Sequence, residues 1–201
     1  MRVVSISPES YEKHRHYLEE MHRLRAKIFH DRLNWNVQIP QGLESDEYDS
    51  LEPTYILAIN KEDKVAGCAR LLPATGPTML ERTFPRLLTK GRLESHSTMI
   101  ESSRFCVDTS LVEGRHAGAI HKTTLIMLAA IMAWCLDNGY NEVVTATDLR
   151  FERILNRAGW PMLRLGDPLT IGNTVAIAGR LLVDRQTLAA MCARIMGLTD
   201  R

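Results

Sequence analysis

Apolar residues recur at helical spacing near the start of the chain and give way to strand-like runs after its first quarter, which divides the sequence into readable elements. Ser7-Pro8-Glu9 has the form of a helix start, a cap residue followed by proline at the first helical position. Tyr11, Leu18, Met21, Leu24 and Ile28 then follow at helical spacing toward Phe29. Residues 34–52 show no clean period, contain Pro40 and Gly42, and turn acidic at Glu44, Asp46, Glu47 and Asp49. So long an unpatterned stretch predicts either a functional loop or disorder. Residues 55–59 and 65–72 read as strands joined by the polar turn Asn60-Lys61-Glu62-Asp63, a hairpin signal. A short helix is expected over 79–88 and a strand over 98–107. A long apolar helix follows over 117–138, with Gly139 as its stop. Residues 142–147 read as a strand and 149–158 as a basic amphipathic helix ending at Gly159. Further strands are expected over 163–165 and 174–182, and a last helix over 185–196.

This order of elements predicts an α/β fold in which helices cover a mixed sheet. Repeats, low-complexity tracts and linkers are absent, so one domain is expected over residues 1–201.

Composition narrows the partners. Hydrophobic residues make up 45% and charged residues 24% of the chain, values ordinary for a soluble globular protein. A formal net charge of +1 gives no global signal for nucleic acid or an anionic membrane, so neither is expected as a partner. Cys68, Cys106, Cys135 and Cys192 are widely spaced, without a Cys-x-x-Cys pair or neighbouring histidine ligands. They are expected to be buried thiols in a reducing compartment, with no disulfide framework and no metal site. The apolar run Val3-Val4-Ser5-Ile6 is too short for a signal peptide, and a cytoplasmic location is expected.

One segment resists reading as plain core. Within the strand expected over 98–107, Glu101 and Arg104 sit among Met99, Ile100, Phe105 and Val107. Residues three apart on a regular strand point to opposite faces, so the two charges are not simply each other's partner. Each must find its own, because an unpaired charge in such a segment is costly. A structural ion pair and a functional site remain equally open from this strand alone.

Several chemistries are excluded by their missing motifs: the dinucleotide Gly-x-Gly-x-x-Gly, the phosphate-loop lysine, the Gly-x-Ser-x-Gly elbow and His-Glu-x-x-His. His14, His16, His22 and His30 on the first helix are expected to form a solvated face. What remains is a scatter of charges and aromatics near element ends: Arg25, Phe29, Trp35, Asp46, Asp49 and Arg70, joined by Glu101 and Arg104. Aromatic faces with nearby carboxylates suit a cationic ligand. Arginines can grip a carboxylate, and a buried glutamate can serve as general base toward an amine.

Order and spacing tie these residues together. Arg25-x-x-x-Phe29-x-x-x-x-x-Trp35, Glu44-Ser45-Asp46-Glu47-Tyr48-Asp49, Cys68-Ala69-Arg70-Leu71-Leu72-Pro73, Met79-Leu80-x-x-Thr83-Phe84-Pro85 and Glu101-Ser102-Ser103-Arg104-Phe105 together resemble the acyl-homoserine-lactone synthase family. These are the autoinducer synthases of bacterial quorum sensing. The resemblance runs from the first helix through Arg157-Ala158-Gly159. It implies a splayed mixed sheet between helices in a three-layer fold like that of the GNAT-type N-acetyltransferases. It also implies an acyltransferase that joins an acyl chain from acyl carrier protein to S-adenosylmethionine, closes the lactone and releases 5′-methylthioadenosine. S-adenosylmethionine is then a substrate, and no cofactor is needed.

By the same resemblance, Phe29 and Trp35 wall the S-adenosylmethionine pocket, while Arg25, Asp46, Asp49 and Arg104 shape and charge it. Arg70 anchors the substrate or orients a loop carboxylate, and Phe105 lies alongside. Glu101 is the candidate base that takes the amine proton, with Arg104 as its charge-positioning companion in catalysis. Each of the two is expected to pair with the first helix and the acidic loop. Backbone N–H groups near Phe105 and Cys106 are candidates for steadying the oxyanion. The acyl tail is expected along Met79, Leu125, Thr145 and Leu155, with Thr145 at a family position associated with 3-oxo chains. Arg150, Arg153 and Arg157 share one face of a helix, and with Arg164 they offer a basic docking surface to an acidic carrier protein.

Two other readings stay in view. A GNAT-type N-acetyltransferase using acetyl-CoA would share the topology, and Arg115-His116-Ala117-Gly118 resembles that group's pyrophosphate loop, although Ile120 departs from it. A non-catalytic small-molecule or carrier-protein binding module would leave Glu101 and the aromatic–acidic loop unexplained.

Overall fold

The computed structural model describes residues 1–110 and 120–197, so the Arg115-His116-Ala117-Gly118 motif and the expected start of the long helix lie outside the described residues. The chain forms two compact units. The first is Met1–Leu71 with Arg104–Ala130, the second Leu72–Ser103 with Ile131–Arg201.

In the first unit, β1 (Arg2–Ile6) pairs antiparallel with β2 (Thr54–Ile59), which pairs antiparallel with β3 (Val65–Pro73). β1 was not expected. Only Ile6 of its five residues is fully buried, so its pattern carries no strong strand signal. The hairpin between β2 and β3 turns as read. Asn60 Oδ1 accepts from the amides of Glu62 (3.0 Å) and Lys64 (2.9 Å), and Asp63 takes the left-handed conformation. The later half of β4 (Met99–Val107) lies beside β3, where Asp108 N donates to Ala66 O at 2.8 Å. Gly67 eases that approach, because a Cβ there would meet Cys106 O and Val107 Cγ2 at a tight 3.3 Å.

The first helix differs from its expected form. Two short 3-10 turns precede α1 (Arg15–Arg25), which buries Tyr17, Met21 and Leu24 in one core with Ile6, Leu57 and Ile59. The helix then widens into a π-helical segment, Ala26–Arg32. Leu33 N donates to Ile28 O five residues back (3.0 Å), and Trp35 N to Phe29 O six back (2.8 Å). The unpatterned stretch that follows is ordered. It contains 3-10 turns at Pro40–Gly42 and Glu47–Leu51, the second opened by a capping box. Asp46 accepts from Tyr48 N, and Asp49 accepts from Asp46 N, both at 2.9 Å.

In the second unit, the early half of β4 runs parallel to β5 (Glu142–Asp148), with Met99 opposite Glu142 and Glu101 opposite Val144. β5 pairs antiparallel with β8 (Thr174–Leu182), which also receives β6 (Leu163–Arg164) and β7 (Leu169–Ile171), so the sheet is mixed. The strand expected over 163–165 is this shorter β6, and the three-residue β7 was not expected. The helix expected over 79–88 is the single turn α2 (Met79–Arg82) followed by a 3-10 turn at Pro85–Leu87. Pro85 disfavours helical geometry at Phe84, which sits at φ −123°, ψ 39°. Leu80, Leu87, Leu88, Met99, Val144 and Ala178 form the core here. α3 is Lys122–Asp137 and α5 is Arg185–Gly197. α4 (Leu149–Ala158) matches its expected bounds, with Asp148 capping Phe151 N at 2.7 Å and Gly159 ending it at φ 86°.

Cys68, Cys106 and Cys135 are buried as expected, but Cys192 is exposed, because α5 buries only Met191. Among the described residues no helix is long and apolar enough to cross a membrane.

Candidate active site

Six charged residues of the first unit close into a ring in which three guanidinium groups alternate with three carboxylates. Arg25 donates from Nη1 and Nη2 to the two oxygens of Asp49, at 2.8 and 2.9 Å. Asp49 Oδ1 also accepts from Arg70 Nη1 at 2.8 Å, and Arg70 reaches on to both oxygens of Asp46, at 2.5 and 3.1 Å. Asp46 meets Arg104 Nη2 at 2.7 Å, Arg104 Nε donates to Glu44 Oε1 at 2.9 Å, and Glu44 Oε2 accepts from Arg25 Nε. Arg25, Arg70 and Glu44 are wholly buried. Buried charge is tolerated here because the signs balance and each guanidinium is shared by two carboxylates.

Local folding delivers each member. Arg25 ends α1, Arg70 lies on β3, which is buried up to Pro73, and the capping box fixes Asp46 and Asp49 at one 3-10 turn. Tyr55 adds a hydrogen bond to Asp49 Oδ1 at 2.7 Å. Burial alone would raise the pKa of Asp49, but Arg25 and Arg70 outweigh it and hold the carboxyl well below its ordinary value. The same balance holds Arg25 and Arg70 above theirs, against the opposing effect of their burial.

Glu44 is the member that the sequence reading left out of the site. Four acids lie within six positions, and nothing in the sequence singles out the buried one. His22 marks it. The His22 ring lies 2.7 Å from Glu44 O through Nδ1, and Glu44 N donates to His22 O at 3.1 Å. His22 is therefore not part of a solvated face; burial, with Arg25 nearby, lowers its pKa.

Against this ring lies the aromatic pair. Phe29 and Trp35 stack with centroids 5.2 Å apart and planes 6° from parallel, and the Arg104 guanidinium sits 5.6 Å from the Phe29 centroid. The π-helical turn makes the stack possible by carrying Trp35 back over Phe29. Phe105 is half-buried on β4. Arg104 is left-handed at φ 53°, so the alternation that puts Glu101 and Arg104 on opposite faces does not carry through it. A non-glycine residue held in this way costs about 1 kcal/mol or more. The bonds to Glu44 and Asp46 offset that cost.

Glu101 belongs to the second unit and is 1% exposed. Its oxygens accept from Met79 N (2.9 Å) and Leu80 N (2.7 Å), while Thr78 caps Glu81 N at 3.1 Å. Glu101 thus holds two amides of the first turn of α2, a partner not expected from the sequence.

The remaining expected residues are more scattered. Met79 and Leu155 are buried in the second unit and Leu125 in the first, while Thr145 is half-buried on β5. Arg150, Arg153 and Arg157 are exposed along α4. Arg164 is exposed too, but its guanidinium is held by both oxygens of Glu152 at 2.7 Å, so its charge is largely compensated.

The autoinducer synthase family model matches residues 9–191. The acyl-homoserine-lactone synthase of Agrobacterium fabrum (strain C58) is 58% identical over 192 residues, covering 96% of this chain and 91% of that protein. The coenzyme A-dependent acyl-homoserine lactone synthase BjaI, solved with S-adenosylmethionine and isopentyl-CoA, superposes with a TM-score of 0.86 at 29% identity. The match covers 96% of this chain and 88% of that one. An N-acetyltransferase structure from Lactobacillus plantarum shares the fold alone, with a TM-score of 0.59 at 14% identity over 91% of this chain and 98% of that one. The expected mixed α/β, GNAT-like fold is therefore present, and the chain belongs to the autoinducer synthase family, the acyl-homoserine-lactone synthases.

Proposed function

We propose that this synthase transfers an acyl chain from the thioester of acyl carrier protein to the amine of S-adenosylmethionine, then closes the lactone and releases 5′-methylthioadenosine. The observation that carries this reading is the closed charge ring against the stacked Phe29 and Trp35. The aromatic faces suit a sulfonium, and Arg104 at the ring's 12%-exposed corner suits the substrate carboxylate. Glu101, its oxygens fixed by two amides, takes the amine proton through water. The freed nitrogen forms the amide bond as the thiolate leaves. The substrate carboxylate then attacks its own γ-carbon, and the C–S bond breaks to release a neutral thioether. That step needs mainly a held geometry.

Met79, Leu125, Thr145 and Leu155 receive the acyl tail, and the Thr145 hydroxyl favours a 3-oxo group. Arg150, Arg153 and Arg157 supply the cationic surface for an acidic carrier protein, with Arg164 in a lesser part. A coenzyme A thioester is the second reading, favoured by the likeness to coenzyme A-dependent BjaI. Pure protein with S-adenosylmethionine and matched acyl chains on either donor separates the two, with methylthioadenosine and lactone as readouts. Faster turnover with the carrier-protein donor supports the reading; release of neither product from any donor overturns it.

A further inference from the structure

The geometry points to a second small-molecule site, in the second unit, built for a zwitterion with an apolar side chain, such as a branched α-amino acid. A cavity of about 210 Å³ opens there between the start of β4, β5, β8 and the segment after α2. It shares no residue with the charge ring. A single water needs only about 10–15 Å³ of such volume, so the space suits a molecule of amino-acid size. Leu88, Leu93, Met99, Val144 and Leu165 form its apolar wall.

Glu142 lines the cavity with its side chain only 9% exposed, and among the described residues its Oε1 has no hydrogen-bond donor. Its two charged neighbours stand beyond hydrogen-bond length: His96 Nε2 at 4.0 Å from Oε1 and Arg180 Nη1 at 3.6 Å from Oε2. A buried carboxylate oxygen without a donor is costly, and a small turn of the Glu142 side chain toward the cavity would let an incoming ammonium satisfy it.

The lining cations decide the rest of the ligand. Arg180, Arg92 and Lys90 also line the cavity, whereas the one other acid, Glu94, is already engaged by Lys90 at 2.6 Å. A simple cation would meet these positive groups, and a simple anion would leave Glu142 Oε1 unsatisfied. A molecule with adjacent ammonium and carboxylate groups answers both, and its aliphatic side chain covers Leu88, Met99 and Val144.

The test is binding to the intact protein near pH 7.5, by calorimetry and ligand-observed NMR. The probes are L-leucine, 3-methylbutylamine (no carboxylate) and 4-methylpentanoate (no amine). Leucine should bind saturably and about ten-fold or more tighter than either analogue, the loss expected when a charged hydrogen-bond partner is removed. Glu142→Gln should weaken leucine by about ten-fold while sparing 4-methylpentanoate. Arg180→Gln, at a half-exposed position that leaves the fold intact, should weaken leucine while sparing the amine. The proposal is overturned if leucine shows no saturable binding by about 20 mM. It is equally overturned if either analogue matches leucine, or if neither substitution weakens leucine binding.

Discussion

Arg25 grips Asp49 with two parallel hydrogen bonds, and the arginine that makes them is completely buried. Glu44 takes the remaining Nε–H, so one guanidinium at the end of α1 holds both ends of the acidic segment. Removing it should leave two carboxylates facing each other without their common partner. Arg25→Met should therefore cost about 3–5 kcal/mol, the range for breaking a buried pair. For a chain of this size that lowers the melting temperature by about 6–20 °C. Thermal and urea unfolding check it, and a variant that melts with the wild type would mean the ring is not structural.

The ring also sets a pH dependence whose sign follows from two opposite charges. The carboxyl of Asp49 is held below its ordinary 3.8 in the folded chain, so its contribution is present above that value. It is lost as pH falls through the folded pKa. His22, its pKa lowered from 6.5 by burial, likewise favours the folded state above 6.5 and opposes it once protonation begins in the unfolded chain. Urea midpoints should be flat above about pH 7, fall gently below about 6.5, and fall steeply below about 4. Asp49→Asn should make the steep limb shallower, the remainder coming from other lowered carboxyls such as Asp108 and Glu152, and His22→Gln should do the same to the gentle one. Unchanged profiles in both variants would assign acid sensitivity to other groups.

The strands and helices that carry core residues were legible because burial leaves a period. β2, β3, β5, β8 and α4 follow their apolar patterns. β1 was not legible, since a strand with one fully buried residue has almost no pattern to read. The widening of α1 into a π-helix was also hidden, because Ala26–Arg32 keeps ordinary helix-forming residues and only the Leu33 and Trp35 bonds reveal the change. Five members of the ring were visible in the sequence as a family pattern. Its closure was not. It depends on pairs 60 residues apart, such as Arg104 with Glu44, and on a left-handed residue at Arg104 that no local signal announces.

Glu101 both touches the proposed reaction and holds α2, and the two roles predict different damage. A glutamine keeps one acceptor but turns an NH2 toward either Met79 N or Leu80 N, now donor against donor. If Glu101 is the base, Glu101→Gln should slow single-turnover methylthioadenosine release by about 100-fold or more. S-adenosylmethionine affinity, measured by calorimetry, should move by less than about three-fold, well under 1 kcal/mol. Lost affinity with normal chemistry in the remaining complex would make Glu101 a structural ligand instead.

The arginines of α4 separate docking from stability. Among the described residues Arg153 donates to Leu149 O of its own helix, at 3.2 Å, so reversing its charge disturbs little else there. Arg164 is different, because its reversal would set two carboxylates together at Glu152. Arg153→Glu with Arg157→Glu should raise the KM for acyl carrier protein by about ten-fold or more with little change in kcat. The effect should shrink as salt rises, as expected for an electrostatic contact at a rim. The same variant should treat an acyl-CoA donor much as the wild type does. Equal KM values for the carrier protein before and after reversal would remove α4 as the docking face.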